Sequence, residues 1–252
     1  MPDPILSARN LVKHYDGIVA TDNFSFDLSP GELCAIIGPN GAGKTTLLAQ
    51  LSGELEPNSG QILYLGQDVT GLSVHQRAGL GFGRSFQITS VFADFTALQN
   101  VILAVQAQVG HSFRFWRDAS TDPELVEPAL GYLNEVGLGS RANVLVSSLS
   151  HGEKRALEIA IALAGKPRLL LLDEPMAGMG VEESEKMITL LLSLKGRISI
   201  VLIEHDMDAV FKLADRIIVL VSGACIASGD PEAIRLNPQV RKAYLGEGET
   251  TC

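Results

Sequence analysis

The chain has 252 residues, 46% of them hydrophobic, with a formal net charge of −9. That length suits one large α/β domain, or a core with a small subdomain, and the acidic balance argues against a nucleic-acid partner, which needs a basic field. No apolar run approaches the roughly 18 residues that cross a bilayer, and Met1-Pro2-Asp3-Pro4 has neither the basic nor the apolar character of a signal segment. A soluble, cytoplasmic chain is expected. Cys34, Cys225 and Cys252 share no metal-ligand spacing, so Cys34 and Cys225 are expected as buried free thiols in a reducing compartment, with Cys252 at the tail.

In chain order, Ile5–Val12 and Val19–Leu28 read as strands, the second alternating at Phe24, Phe26 and Leu28. Ser29-Pro30-Gly31 is a turn, and Leu33–Ile37 is a short apolar strand running into Gly38. A helix is predicted from Gly43 to about Leu51, stopped near Gly53 and Pro57. Between about Ser73 and Phe86 a short helix leads through a glycine-rich stretch into a strand. From Ile88 to about Ala164 helical segments take over (Thr96–Val109, Glu124–Val136, Gly152–Ala164), which predicts a helical subdomain inserted in an α/β core. Strand and helix then alternate: Leu169–Asp173, Val181–Leu194, Ile198–Ile203, Asp206–Leu213, Ile217–Val221. Such alternation implies a parallel sheet with helices on its faces.

Two segments carry chemistry by themselves. Gly38-Pro39-Asn40-Gly41-Ala42-Gly43-Lys44-Thr45-Thr46 matches G-x-x-x-x-G-K-[ST] between a strand and a helix. Its glycines let backbone N–H groups turn inward around phosphates, and the helix start adds a favourable dipole. Lys44 can reach the β- and γ-phosphates, and the Thr45 hydroxyl can ligate Mg²⁺. Leu169–Leu172 is an apolar run ending in Asp173-Glu174-Pro175. Asp173 at the strand tip suits the Mg²⁺ partner, and Glu174 would polarise the attacking water.

With Leu149-Ser150-His151-Gly152-Glu153 lying between these two segments, the chain resembles the ATP-binding cassette (ABC) ATPases from about Ile5 to Leu245. The resemblance implies a P-loop NTPase α/β core with an N-terminal antiparallel β subdomain and an inserted α-helical subdomain. In residue numbers, 1–87 and 165–252 would form the ATP-binding core and 88–164 the helical signature subdomain. Leu149–Glu153 is similar to the family signature LSGGQ, with His151 for the first internal Gly and Glu153 for Gln. That motif opens a helix and contacts ATP bound by a second protomer, through Ser150, Gly152 and Glu153. Ser150 is a good N-cap, and Gly152 permits close backbone approach. An α/β unit runs its helix antiparallel to its strand, so the start of this helix and the tip at Asp173 share one face, which suits a shared two-fold site.

The resemblance also implies Tyr15 as the aromatic stacking on adenine, the alternative being an aromatic packed at a strand end. Gln87 would sense Mg²⁺ with Thr45 and Asp173, and His205 would be the switch histidine at the γ-phosphate. Gly180 stands where the family usually has Asp, leaving no side chain to reach across the dimer. His111–Arg117 interleaves aromatics with basic residues; packing on the helical subdomain is favoured over contact with headgroups or a partner.

Arg84-Ser85-Phe86-Gln87, Ile203–Met207 and the tail Asn237–Gly246 are similar to the ATPase subunits of high-affinity branched-chain amino acid importers. That branch implies ATP and Mg²⁺ as cofactors, and a second cassette, identical or different. It further implies two transmembrane permease subunits, an indirect periplasmic or surface binding protein, and a peripheral place on the inner face of the cell membrane. Urea or amide importers, a lipopolysaccharide-export ATPase and non-transport cassettes are the alternatives.

Overall fold

A computed structural model describes residues 3–84, 91–109 and 121–245. In chain order the elements are β1 (Leu6–Tyr15), β2 (Ile18–Leu28), β3 (Leu33–Ile37), α1 (Lys44–Ser52), β4 (Ser59–Tyr64), β5 (Gln67–Asp68), α2 (Val74–Gly79) and β6 (Phe82–Arg84). Then come α3 (Ala97–Val109), α4 (Pro123–Glu135), α5 (His151–Ala164), β7 (Leu169–Asp173), α6 (Val181–Leu194), β8 (Ser199–Ile203) and α7 (Met207–Leu213). β9 (Arg216–Val221), β10 (Ala224–Gly229), α8 (Pro231–Leu236) and α9 (Pro238–Leu245) complete the chain.

The short apolar runs become the centre of the molecule. β3, β7 and β8 are buried at every residue, as strands covered on both faces must be. They lie in a six-stranded sheet of order β10-β9-β3-β8-β7-β6. It is parallel except for the β9–β10 edge hairpin. Because successive side chains point to opposite faces, each run feeds two cores. Ala35, Ile37, Leu170, Leu172, Ile200 and Leu202 pack with the helices α3–α7. Cys34, Ile36, Leu169, Leu171, Val201 and Ile203 pack on the other side with α1 and the inner face of a second sheet.

That second sheet is antiparallel, of order β2-β1-β4-β5. Its register sets Leu6 opposite Leu28, Ala8 opposite Phe26 and Leu11 opposite Phe24, so the alternation seen at Phe24 and Phe26 is the core-facing row. β4 and β5 were not apparent from sequence; β4 carries only Ile62 and Tyr64 inward, too little for a visible period. β10, α8 and α9 likewise lacked a clear pattern. Between β6 and β7 the chain forms α3, α4 and α5, which pack on one another. Cys34 is buried, but Cys225 is exposed, correcting the expectation of two buried thiols: β10 is an edge strand and turns that side chain outward. Cys252, Gln87 and His111–Arg117 lie outside the described residues.

The helix α1 is held at both ends. Gly43 at its start has φ 97°, and a Cβ there would sit 2.1 Å from the Ala20 carbonyl oxygen of β2. At its other end Arg77 is fully buried and donates to the carbonyls of Gln50, Leu51, Thr70 and Leu72. The guanidinium thus satisfies carbonyls that the last turn of a helix leaves open, and burial lowers its pKa to about 10.

Candidate functional site

The loop of residues 38–43 leaves β3 at the centre of the sheet and enters α1. The N-cap, Gly43, makes no side-chain cap bond, and no acidic residue occupies the first turn. The first N–H groups of α1 are therefore left to an external acceptor, and the dipole favours an anion there. Gly223 N–H donates to the Ala42 carbonyl at 2.9 Å, which fixes the loop against the β9–β10 turn. Lys44 is mostly buried and folds back, its Nζ donating to the Gly38 carbonyl at 2.8 Å and to Pro39 at 3.1 Å. Burial lowers its pKa, while Glu174 and Asp173 oppose that shift.

Asp173 ends β7, is 1% exposed, and neither carboxylate oxygen has a hydrogen-bond partner among the described residues. Burial and the adjoining Glu174 raise its pKa, and Arg84, Lys44 and Arg155 pull it down. A buried carboxylate with no hydrogen bond is costly unless a cation completes it. The oxygen donors here, a carboxylate at a strand tip and the Thr45 hydroxyl one residue past Lys44, suit a hard divalent cation. Such an ion takes its remaining ligands from phosphate and water, so no cluster of three or more protein ligands is needed, and among the described residues there is none.

Glu174 follows with φ 48°, in the left-handed region that a glutamate adopts only where its surroundings enforce it. Its N–H donates to the Ile203 carbonyl at 2.9 Å. The carboxylate lies 3.9 Å from Nδ1 of His205, close but beyond hydrogen-bond reach. The His205 side chain is 64% exposed and stands at the same distance from Glu204.

Glu204 was missed in the sequence. It is 1% exposed and accepts the N–H of Met176 at 2.9 Å and of His205 at 3.1 Å. Burial raises its pKa, and the backbone donors work against that rise. An acid placed directly after the fully apolar run Ile200–Ile203 was the available signal.

Ser150 caps α5. Its hydroxyl accepts the Glu153 N–H at 3.1 Å while the Glu153 carboxylate accepts the Ser150 N–H at 2.9 Å, a reciprocal capping box. The second Glu153 oxygen is held by Arg141 at 2.9 Å, so this side chain is committed within its own chain. Ser150 Oγ donates to Glu183 in α6 at 2.8 Å, and Glu183 lies so close to Gly152 that a Cβ there would be 2.8 Å from its Cδ. The bulky His151 has a place as well: its Nε2 is 3.0 Å from the Ala177 carbonyl, in the turn that follows Glu174. Since a carbonyl only accepts, that nitrogen carries the proton. The start of α5 and the tip of β7 therefore do share one face. Gly180 caps α6 without a side-chain bond, and a Cβ there would meet nothing within 4 Å; the structure gives no steric reason for glycine at this position.

Tyr15 ends β1 opposite Ile18 and is 46% exposed, with Lys13 Nζ 5.7 Å from the ring centre. Its hairpin is joined to the phosphate loop through the Ala20–Gly43 contact and through Gln50, which donates to Thr21 at 2.7 Å.

A phosphate loop, an acidic strand tip, a capped signature turn and a histidine after the next strand, on this pair of sheets, define an ATP-binding cassette. The ABC transporter family profile matches residues 21–177, and the chain belongs to that family, whose members are ATP-binding ATPases. More particularly, residues 224–250 match the profile of branched-chain amino acid ATP-binding cassette transporters. The chain is 38% identical to the high-affinity branched-chain amino acid transport ATP-binding protein LivG of Escherichia coli (strain K12), over 98% of this chain and all of that one. The ADP conformation of MJ1267, an ATP-binding cassette of an ABC transporter, superposes with a TM-score of 0.86 at 28% identity, covering 98% of this chain and 100% of that one. A dimeric, post-hydrolysis form of the cassette MJ0796 bound to ADP and Pi gives 0.76 at 26% identity, covering 90% and 98%.

Proposed function

We propose that this chain is the Mg²⁺-dependent ATPase subunit of an importer for branched-chain amino acids or closely related amino acids and amides. The buried, unpartnered Asp173 carboxylate beside Lys44 carries the Mg²⁺ part of this reading, and the likeness to LivG carries the substrate class. Residues 38–46 cradle the phosphates, Tyr15 stacks on adenine, and Thr45, Asp173 and Gln87 serve the metal. A bound Mg²⁺ would neutralise phosphate charge. Glu174 orients and deprotonates the attacking water, and His205, on the neighbouring strand end, faces the γ-phosphate. Ser150 and Gly152, with Glu153 fixing their turn, present the start of α5 to ATP held by a second cassette, as the dimeric cassette MJ0796 suggests. The ATP-binding core is then residues 1–87 with 165–252, and 88–164 is the signature subdomain.

No helix among the described residues is long and apolar enough to cross a membrane. Phe92 and Phe95 are exposed at the foot of the helical subdomain, their rings 5.3 Å apart, with exposed Leu145 on the segment that pairs beside them. This apolar patch suits two transmembrane permease subunits, which would hold the cassettes at the inner face of the membrane and take substrate from a binding protein.

Glu174→Gln is expected to lower phosphate release by about 100-fold or more while ATP binding persists; turnover at the wild-type rate would refute the general base. Chelation of Mg²⁺ should abolish hydrolysis, and activity surviving EDTA would remove the metal from the mechanism. Recovery of the chain with permeases from detergent-solubilised membranes is expected; recovery with soluble partners alone would refute the transport reading.

A further inference from the structure

We infer that Glu204 is a positioning residue for hydrolysis, its buried carboxylate holding the Glu174 turn and the His205 segment in one register. The inference rests on the reading of Glu174 as the base.

Glu204 lies at the end of β8, and its two oxygens face different parts of the chain. Oε1 accepts from Met176, in the turn after β7; Oε2 accepts from His205 on its own segment. The Glu174 N–H is tied to Ile203 and the Met176 N–H to Glu204, so two points of the turn are bonded to the last residue of β8 and to the residue that follows it. Between them stands a glutamate at φ 48°. A non-glycine residue in that region persists only where the surrounding bonds over-determine it, and without Glu204 one of the two bonds is lost.

A carboxylate is the side chain this geometry needs. Oxygens on both branches accept backbone N–H groups at once, whereas an amide offers one oxygen and turns an NH₂ towards the other donors. An apolar residue would leave the buried Met176 N–H without its acceptor, which is destabilising. The same carboxylate is 3.9 Å from the His205 ring, so the switch histidine and the base-bearing turn are referred to one anchor. Misplacement of a catalytic group by about 1 Å can cost on the order of 100-fold in rate. Glu204 needs no contact with nucleotide to matter.

The test measures kcat by phosphate release and ADP affinity by calorimetry on the full chain. Glu204→Gln and Glu204→Ala are expected to lower kcat per folded molecule about 10-fold or more, with ADP affinity changed less than about twofold. Val201→Ala, a cavity in the same strand away from the turn, loses stability but should keep kcat within about twofold. In the Glu174→Gln background, Glu204→Ala should lower turnover no further, as coupled residues do. The inference is overturned if the Glu204 variants keep wild-type kcat, if kcat and ADP affinity fall together, or if Val201→Ala loses as much kcat at equal stability. A Glu174→Gln variant with wild-type turnover overturns both this inference and the reading beneath it; an inactive Glu174→Gln beside fully active Glu204 variants overturns this one alone.

Discussion

The two helix starts that meet phosphate in the proposed dimer are built in opposite ways. α1 begins with a bare glycine cap, no acidic residue in its first turn, and a loop wedged against Ala20 and Gly223. α5 begins with a capping box, a carboxylate in its first turn, and a second carboxylate, Glu183, bonded to its cap hydroxyl. The first is a preformed anion site whose donors wait for a ligand. The second has already satisfied two of its backbone donors, the Ser150 and Glu153 N–H groups, from within its own chain. In the proposed dimer, a phosphate held by a second cassette would compete with Glu183 for the Ser150 hydroxyl.

The contrast can be tested most severely at Lys44. Lys44→Ala removes the charged donor from the preformed start and should weaken ATP binding to the isolated chain by about 10- to 100-fold, measured by calorimetry. Ser150→Ala should leave that affinity unchanged, since its phosphate belongs to another subunit; an equal loss for both would erase the distinction. Gly43→Ala is the next largest effect. Its Cβ would meet backbone at 2.1 Å at φ 97°, for a cost of about 3 kcal/mol in denaturant unfolding. Gly152→Ala meets mainly the flexible end of Glu183, which can swing aside, so less than about 1 kcal/mol is expected. Ser150→Ala on stability lies between these two, about 1 kcal/mol for the lost cap; a cost near zero would show that the capping box is idle.

Much of the proposed site could be read from the chain because its segments are local. Leu33–Thr46 and Leu169–Glu174 each combine a short apolar strand with the polar groups that follow it, and sequence neighbours at a strand end stay neighbours in space. The helices of the inserted subdomain showed their own period for the same reason. What failed was either weakly patterned, as with β4 and β5, or dependent on edge placement, as with Cys225, whose strand is apolar by composition yet turns it outward.

The remaining features join residues far apart in the chain. Met176 meets Glu204 across 28 positions, Ser150 meets Glu183 across 33, and Arg77 reaches the Gln50 carbonyl across 27. No periodicity can announce such pairs, because they depend on how finished elements pack. The order of motifs, their strand-to-helix settings and the family they define came from sequence alone. Tertiary structure decided that Asp173 is left without a hydrogen-bond partner among the described residues, that Glu174 is held at positive φ, and that the start of α1 has no side-chain cap while that of α5 is tied by a capping box and Glu183. Hydrophobic period sets which way a side chain points; only packing sets what it finds there.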